Sequence, residues 1–452
     1  MKIKIFLLIL SCAMKNLCQE AIPLLMDRSS ASGESETKIN TEKPITDLKT
    51  LIQTAESGDA IAQYKLGKYF YSEKTISEHY KQATVWFDKS ARQGNKQAQY
   101  YLAYCLKYGK GIQTDTTAAF HWLNAATAYK TEEKKDPKAL SLLAMMHFHG
   151  EGTIQNNEKA FYYFNEAAKL KYPEAINNVA HCYEKGFGTK KNYEEAIKKY
   201  QEAIKYNYIP ALHNLGMCYI HGYGVPQDNK EALKYIQQAA RKGFAESQYF
   251  VATCYEQGIE FEINLDLAID WFSKAAAQNY RDAHEKYRKI QKEYGKALFE
   301  EEDYKHALAI LTPIAQEEQH ADSAFLVGLC HYDGLGTTQN NALAFKFFQI
   351  AATKNIPEAI YYIGLCHRYA RGTDWNERKA FTNFLDAARS GLAVAQFHVG
   401  YCYETGSGIM KNITQAQHWY LLAAQQGYEG AQEAYERVSS CSVACKNSCI
   451  LL

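Results

Sequence analysis

Six cysteines constrain the fold more than any other feature of the chain. They stand at 182, 218 and 254 and again at 330, 366 and 402, so the spacing inside each triplet is 36 residues. A strict period of roughly 20–50 residues marks one supersecondary unit copied along a chain. The 452 residues therefore read as a repeat array, not as the roughly two to four separate domains that length alone predicts. Extending the register puts an anchor at Tyr69, Cys105, Met146, Cys182, Cys218, Cys254, Ile290, Cys330, Cys366 and Cys402. Intervals of 41 residues after Cys105 and 40 after Ile290 mark local insertions.

Offsets from the anchor define two helices. Ala stands seven before it (Ala62, Ala98, Ala139, Ala175, Ala211, Ala359, Ala395) and Leu, Ile or Val three before it. Offsets of four and seven share one helical face, so this stretch is predicted to be a first helix, A. Gly often stands two before the anchor (Gly67, Gly216, Gly328, Gly364, Gly400), which weakens a helix but admits a close neighbour. A Gly-x-Gly follows at plus 4 and plus 6, as at Gly109/Gly111 and Gly186/Gly188, and is predicted to cap helix A and open a turn. Asp or Asn at plus 10 (Asp115, Asn156, Asn192, Asp228, Asn264, Asn340, Asn376, Asn412) supplies an N-cap for a second helix, B. An aromatic residue recurs near plus 17 (Trp86, Trp122, Tyr163, Tyr235, Trp271, Phe347, Trp419). Gly or Asn at plus 25 (Gly94, Asn207, Gly243, Asn279, Asn355, Gly391, Gly427) closes helix B.

Composition and motifs exclude several functions. With 51 Lys and Arg against 50 Asp and Glu there is no net field to attract nucleic acid, so none is expected as a partner. The Gly-x-Gly follows a helix, recurs with the period and lacks a Lys-Ser/Thr pair, which excludes a phosphate loop. No zinc-protease helix, nucleophile elbow or recurrent acid pair is present, so neither catalytic residues nor a metal or other cofactor is expected. The anchor cysteines read as core. Equivalent positions on stacked helices lie about 10 Å apart, beyond disulfide reach, which fits a reducing compartment.

The stretch LGMCYIHGYGVPQDNKEALKYIQQAARKG within Ala211 to Gly243 resembles the SEL-one-like repeat, a relative of the tetratricopeptide repeat. The resemblance implies an all-α fold, a right-handed α/α superhelical solenoid of about ten helix-turn-helix units. In this register the repeats occupy 62–97, 98–138, 139–174, 175–210, 211–246, 247–282, 283–322, 323–358, 359–394 and 395–430. The seventh departs from the pattern: it lacks Gly-x-Gly, and YGKALFEEEDYKHALAIL reads like a plain tetratricopeptide turn with longer helices. Residues 46–61 and 431–439 are predicted to form capping helices, since an array needs its open ends covered. Some secreted relatives pair two cysteines per repeat to join helices A and B. This chain has one, so that device is missing.

The two ends point in different directions. Residues 1–18 carry Lys2, Lys4 and the apolar run Ile5 to Leu10, a short signal-peptide pattern, and residues 19–45 read as a disordered linker. Residues 440–452 read as a flexible tail ending in Cys449-Ile450-Leu451-Leu452, a prenylation box whose final Leu favours geranylgeranyl, with Cys441 and Cys445 as palmitate acceptors. A cleaved signal removes a chain from the cytosol, whereas prenyl transfer occurs there. What the resemblance implies reconciles them: a bacterial effector, delivered to a host cell and lipidated there, on the cytosolic face of a membrane. An exported periplasmic or envelope scaffold is the alternative, and a weak hydrolase of wall or β-lactam substrates a third. Partners are expected to be proteins, held by a monomer in a groove lined five before the anchor by Tyr64, Tyr100, His213, Tyr249, Phe325, Tyr361 and Phe397, although those rings equally suit inter-repeat core.

Overall fold

The computed structural model describes residues 45–72, 77–129 and 135–449, with side chains described within 48–440. The signal-peptide and linker readings, the side chains of Cys441, Cys445 and Cys449, and residues 450–452 lie outside this description. Among the described residues there are 22 helices and no strand, so the fold is all-α. The chain divides into two compact bodies, between His284 and Glu285.

In the first body a capping helix, Ile45–Glu56, precedes six hairpins of a helix A and a helix B. These are Ala60–Ser72 with Ser77–Arg92, Lys96–Tyr108 with Thr116–Thr127, Pro137–His149 with Asn157–Lys169, Pro173–Lys185 with Tyr193–Lys205, Ile209–His221 with Asn229–Arg241, and Ala245–Gln257 with Leu265–Ala276. Helix A thus begins two residues ahead of the Ala marker that set the boundary in the sequence, with Pro or Ala at its first position in four of the six. The second body holds Tyr304–Glu317, Ala321–Asp333 with Asn341–Ala352, Pro357–Tyr369 with Glu377–Arg389, Ala393–Thr405 with Ile413–Gln425, and a closing helix.

The hairpin turn is fixed by its caps. All eight Asp or Asn side chains at plus 10 accept a hydrogen bond from the backbone N–H three residues on, as Asn192 does from Glu195. Each such cap contributes about 1 kcal/mol. In the other eight described turns of the array, the first and seventh repeats aside, the plus 4 residue is left-handed and donates its N–H to the anchor carbonyl; Ala370 takes that conformation in the ninth repeat, at φ 54°. The plus 6 glycine has a further reason. A Cβ on Gly188 would lie 2.0 Å from the carbonyl oxygen of Asn157, in the first turn of the preceding helix B, and one on Gly372 would lie 2.0 Å from that of Asn341. The turn therefore seats each repeat on the one before it.

The core sits one residue beyond the aromatic position noticed in the sequence. At plus 17 Phe347 is buried, but Trp86, Trp122, Tyr163, Tyr235, Trp271 and Trp419 are only half-buried, whereas plus 18 is fully enclosed at Phe87, Leu123, Phe164, Tyr200, Ile236, Phe272, Phe348, Phe384 and Tyr420. The glycine two before the anchor faces this side chain: a Cβ on Gly67, Gly328, Gly364 or Gly400 would fall 2.6–2.7 Å from the ring of Phe87, Phe348, Phe384 or Tyr420. The close neighbour expected from those glycines is thus helix B of the same repeat.

The seventh repeat follows a different rule. Its helices, Ala283–Glu300 and Tyr304–Glu317, span 18 and 14 residues where most helices of the array span 13. Their close approach is at Gly295 against Leu311, 2.6 Å from a Cβ built there, and these residues are 16 apart where the regular pair is 20 apart. Four fewer residues between the apposed positions leave no room for the Gly-x-Gly turn. The anchor expected at Ile290 is therefore displaced, and Arg288, two before it, pairs instead with Glu318 at 2.7 Å and Glu317 at 3.3 Å. The closing helix also differs from expectation: it runs Ala431–Cys449, ten residues past the predicted end at 439.

Candidate partner-binding surface

The positions five and four before the anchor lie side by side on helix A, and both are organised by the plus 18 ring. The ring at minus 5 packs on plus 18 of its own repeat: Tyr249 on Phe272 (5.2 Å between centroids), Phe325 on Phe348 (6.1 Å), Tyr361 on Phe384 (5.5 Å), Phe397 on Tyr420 (5.2 Å) and Tyr64 on Phe87 (6.4 Å). The ring at minus 4 stacks on plus 18 of the preceding repeat: Tyr101 on Phe87 (5.2 Å, 18° between planes), Tyr362 on Phe348 (5.0 Å, 27°) and His398 on Phe384 (5.2 Å, 29°). One enclosed ring thus joins two repeats, with offset aromatic contacts of about 0.5–1.5 kcal/mol each beyond area burial.

This division decides which groove candidates can meet a partner. Tyr100, His213 and Tyr361 are only 8%, 2% and 9% exposed and serve as packing. Tyr64, Tyr249, Phe325 and Phe397 are half-buried and keep part of each ring at the surface. Burial raises the Tyr64 hydroxyl to about 12, so it stays neutral, and Tyr249 is raised too by burial and by the hydrogen bond its hydroxyl donates to Asp282 (2.9 Å).

In the third to fifth repeats of the first body the same row is polar. Ser141, Asn177 and His213 hold minus 5 and are buried. Asn214 Nδ2 donates to Asn177 Oδ1 (2.9 Å), and His213 Nδ1 meets Ser247 Oγ (2.9 Å) while its Nε2 lies 3.7 Å from Glu246. Burial lowers the affinity of His213 for a proton, so the ring is neutral. Nearby, Tyr172 donates to Glu174 (3.0 Å), whose carboxyl is raised by burial.

A second feature, missed in the sequence, is a glutamine clamp. Gln63, Gln99, Gln248 and Gln396, six before the anchor, donate to Ala55, Ala91, Ala240 and Ala388 carbonyls at the end of the preceding helix B. Thirty residues on, Gln93, Gln278 and Gln426 donate to the Gln63, Gln248 and Gln396 side chains and also to the carbonyls of Gly58, Gly243 and Gly391. The signal was present as a Gln pair spaced by 30.

The anchor thiols offer no nucleophile. All seven are buried, and burial pushes Cys105 and Cys182 up to about 12 and Cys330, Cys366 and Cys402 up to about 11. Among the described residues, no group of three or more His, Cys, Asp or Glu could hold a metal ion, and no helix is long and apolar enough to cross a membrane.

A known family matches this chain by sequence. Nine Sel1 repeats match the sequence, at residues 60–95, 96–128, 137–172, 173–205, 209–244, 245–280, 321–356, 357–392 and 393–428, leaving out the irregular seventh. No curated protein matches it. Among solved structures it is similar to c5321, a protective antigen present in uropathogenic Escherichia coli strains and displaying an SLR fold. That protein is 22% identical, the match covers 87% of this chain and 90% of the other, and the TM-score is 0.38. A Sel1 repeat protein from Oxalobacter formigenes is 20% identical, with 86% and 90% covered and a TM-score of 0.32. Sel1-repeat proteins typically act as protein-interaction scaffolds. With nine matched repeats spanning most of its length, the chain belongs to the Sel1 repeat family.

Proposed function

We propose that this protein is a non-catalytic scaffold that binds other proteins, working as a monomer through half-buried rings on each body, Tyr64 and Tyr249 on the first and Phe325 and Phe397 on the second. One observation carries the reading: the minus 5 row leaves these four aromatic edges at the surface while every anchor thiol is sealed in the core. Aromatic rings held rigidly by a second ring behind them lose little entropy when a partner docks. In this reading the scaffold is a bacterial effector, acting on host processes such as trafficking from the cytosolic face of a host membrane. The Cys449-Ile450-Leu451-Leu452 sequence supports the lipid tether, and a single buried cysteine per repeat, sealed in the core, suits a reducing compartment.

The binding surface is tested with Phe325→Glu and Phe397→Glu in one chain, used as bait beside the wild type. Loss of a captured partner with unchanged helical circular dichroism supports the surface, and undiminished capture refutes it. The tether is tested by incubating wild type and Cys449→Ser with mammalian cytosol; a prenyl mass on the wild type alone supports it, and no mass gain refutes it. The signal-peptide pattern of residues 1–18 favours an exported envelope scaffold instead, which a mature N-terminus near Ala13 or Cys18 would establish.

A further inference from the structure

In a helical hairpin array every A-to-B turn lies along one edge and every B-to-A turn along the other. In the second body these edges differ. Five large apolar side chains are exposed among its described residues, and the three most exposed, Tyr369 (57%), Trp375 (63%) and Met410 (82%), all belong to the A-to-B edge of the ninth and tenth repeats. Tyr369 ends helix A of the ninth repeat, while Trp375 and Met410 tip the two turns that follow. The opposite edge presents Lys354 and Asn355, Ser390 and Gly391, and Gln425 to Gly427.

The closing helix supplies the second observation. Ala431 and Val438 are buried and stand 36 residues after Ala395 and Cys402, so this helix continues the register of a helix A and runs in its direction, toward the A-to-B edge. A regular helix A ends three residues after its anchor, as at Thr405, which corresponds to position 441. The closing helix instead ends at Cys449, eight residues or about 12 Å further along. The closing helix therefore ends on the edge that carries Tyr369, Trp375 and Met410.

We infer that this edge lies against a lipid bilayer, with Trp375 and Met410 entering the interfacial layer beside the tethered tail; the inference deepens, and rests on, the membrane reading above. Trp and Tyr favour the headgroup boundary, where the ring is apolar and its polar atom stays wet. Charge in these turns is of both signs, Asp374 and Glu377 against Arg371, Arg378, Lys379 and Lys411, and the three most exposed large side chains are apolar, so insertion of apolar tips is taken to drive the contact.

The test separates docking from lipidation. The full chain with a decahistidine tag after Leu452 is held on phosphatidylcholine vesicles containing a nickel-chelating lipid, which tethers it at the right end without any prenyl group. Wild type and Trp375→Phe are compared on vesicles with and without brominated acyl chains. The inference expects about twofold quenching of the Trp375 share of the emission, with little dependence on salt, and loss of that quenching in Met410→Glu but not in Thr353→Glu on the opposite edge. Equal quenching of wild type and Trp375→Phe while both are vesicle-bound overturns it. Absence of a prenyl mass on the untagged chain would overturn the tether alone, leaving the tagged result to judge the edge.

Discussion

Gly188→Ala is expected to be far more damaging than Gly186→Ala two residues earlier, although both residues are left-handed glycines of one turn. At Gly186 (φ 80°) the nearest atoms to a new Cβ are at 3.5 Å, ordinary contact, so the cost is the left-handed conformation alone, about 1–2 kcal/mol. Ala370 already occupies the equivalent place in the ninth repeat. At Gly188 (φ 66°) the same conformational cost applies, but the Cβ would also lie 2.0 Å from the Asn157 carbonyl oxygen, 2.4 Å from its carbon and 2.8 Å from Glu158 N. These are backbone atoms of a capped helix and cannot swing aside, so the two repeats must separate, adding about 1–3 kcal/mol of overpacking. The total is about 2–5 kcal/mol. Because a repeat array need not unfold in one step, the readout is amide hydrogen exchange of helix Asn157–Lys169 together with urea denaturation. Faster exchange confined to that helix and its neighbours in Gly188→Ala is the expected result; equal effects of the two substitutions would refute the seating argument.

Three further outcomes follow from the packing. His398, stacked on Phe384 and lowered to about 4 by burial and by Arg368, binds a proton more weakly in the fold than in the unfolded chain; its contribution of up to about 3 kcal/mol is complete above about pH 6.5 and lost as pH falls toward 4. His398→Phe should flatten the stability profile in that window, and an unchanged slope would count against it. Tyr200→Phe removes the hydroxyl that donates to Glu184 (2.7 Å) and should cost about 1.5–3 kcal/mol in urea denaturation, since the acceptor is charged; a neutral result would show that Lys185, 2.6 Å from Glu184, suffices. The seven buried anchor thiols should resist alkylation at pH 8 in the native protein and react on unfolding, and rapid native labelling seen by peptide mass spectrometry would contradict their placement.

Features that depend on local backbone chemistry were legible in the sequence. The Asp and Asn at plus 10 are caps in all eight repeats that carry them, and the residues at plus 25, such as Asn207 (φ 60°) and Gly243 (φ 92°), hold the left-handed conformation their types foretell. What was not legible depends on two segments meeting. The conspicuous aromatics at plus 17 concealed the enclosed position beside them because plus 18 mixes Phe, Tyr, Leu and Ile, with no single residue type to mark it. For the same reason the minus 5 row could not be divided in advance into surface rings such as Phe397 and packing such as Tyr361, whose burial depends on what the adjoining repeat places beside it. The seventh anchor slipped because a period counted from cysteines carries no information where the turn loses four residues. The closing helix was cut short at 439 because Ser, Cys and Asn are weak helix formers, yet it continues to Cys449.

That closing helix is also a seal. Ala434 and Val438 cover Tyr420, the last enclosed ring of the array, Gln417 donates to the Val438 carbonyl (3.3 Å), and Arg437 grips Glu404 (2.8 Å), the same carboxylate that receives the Tyr420 hydroxyl. A protease that severs the chain near 431 therefore does not liberate an intact shorter protein: it strips the cover from Tyr420 and leaves the tenth hairpin frayed. Lifetime is thus governed by this one segment, and a molecule that loses it is exposed to turnover by the same cut.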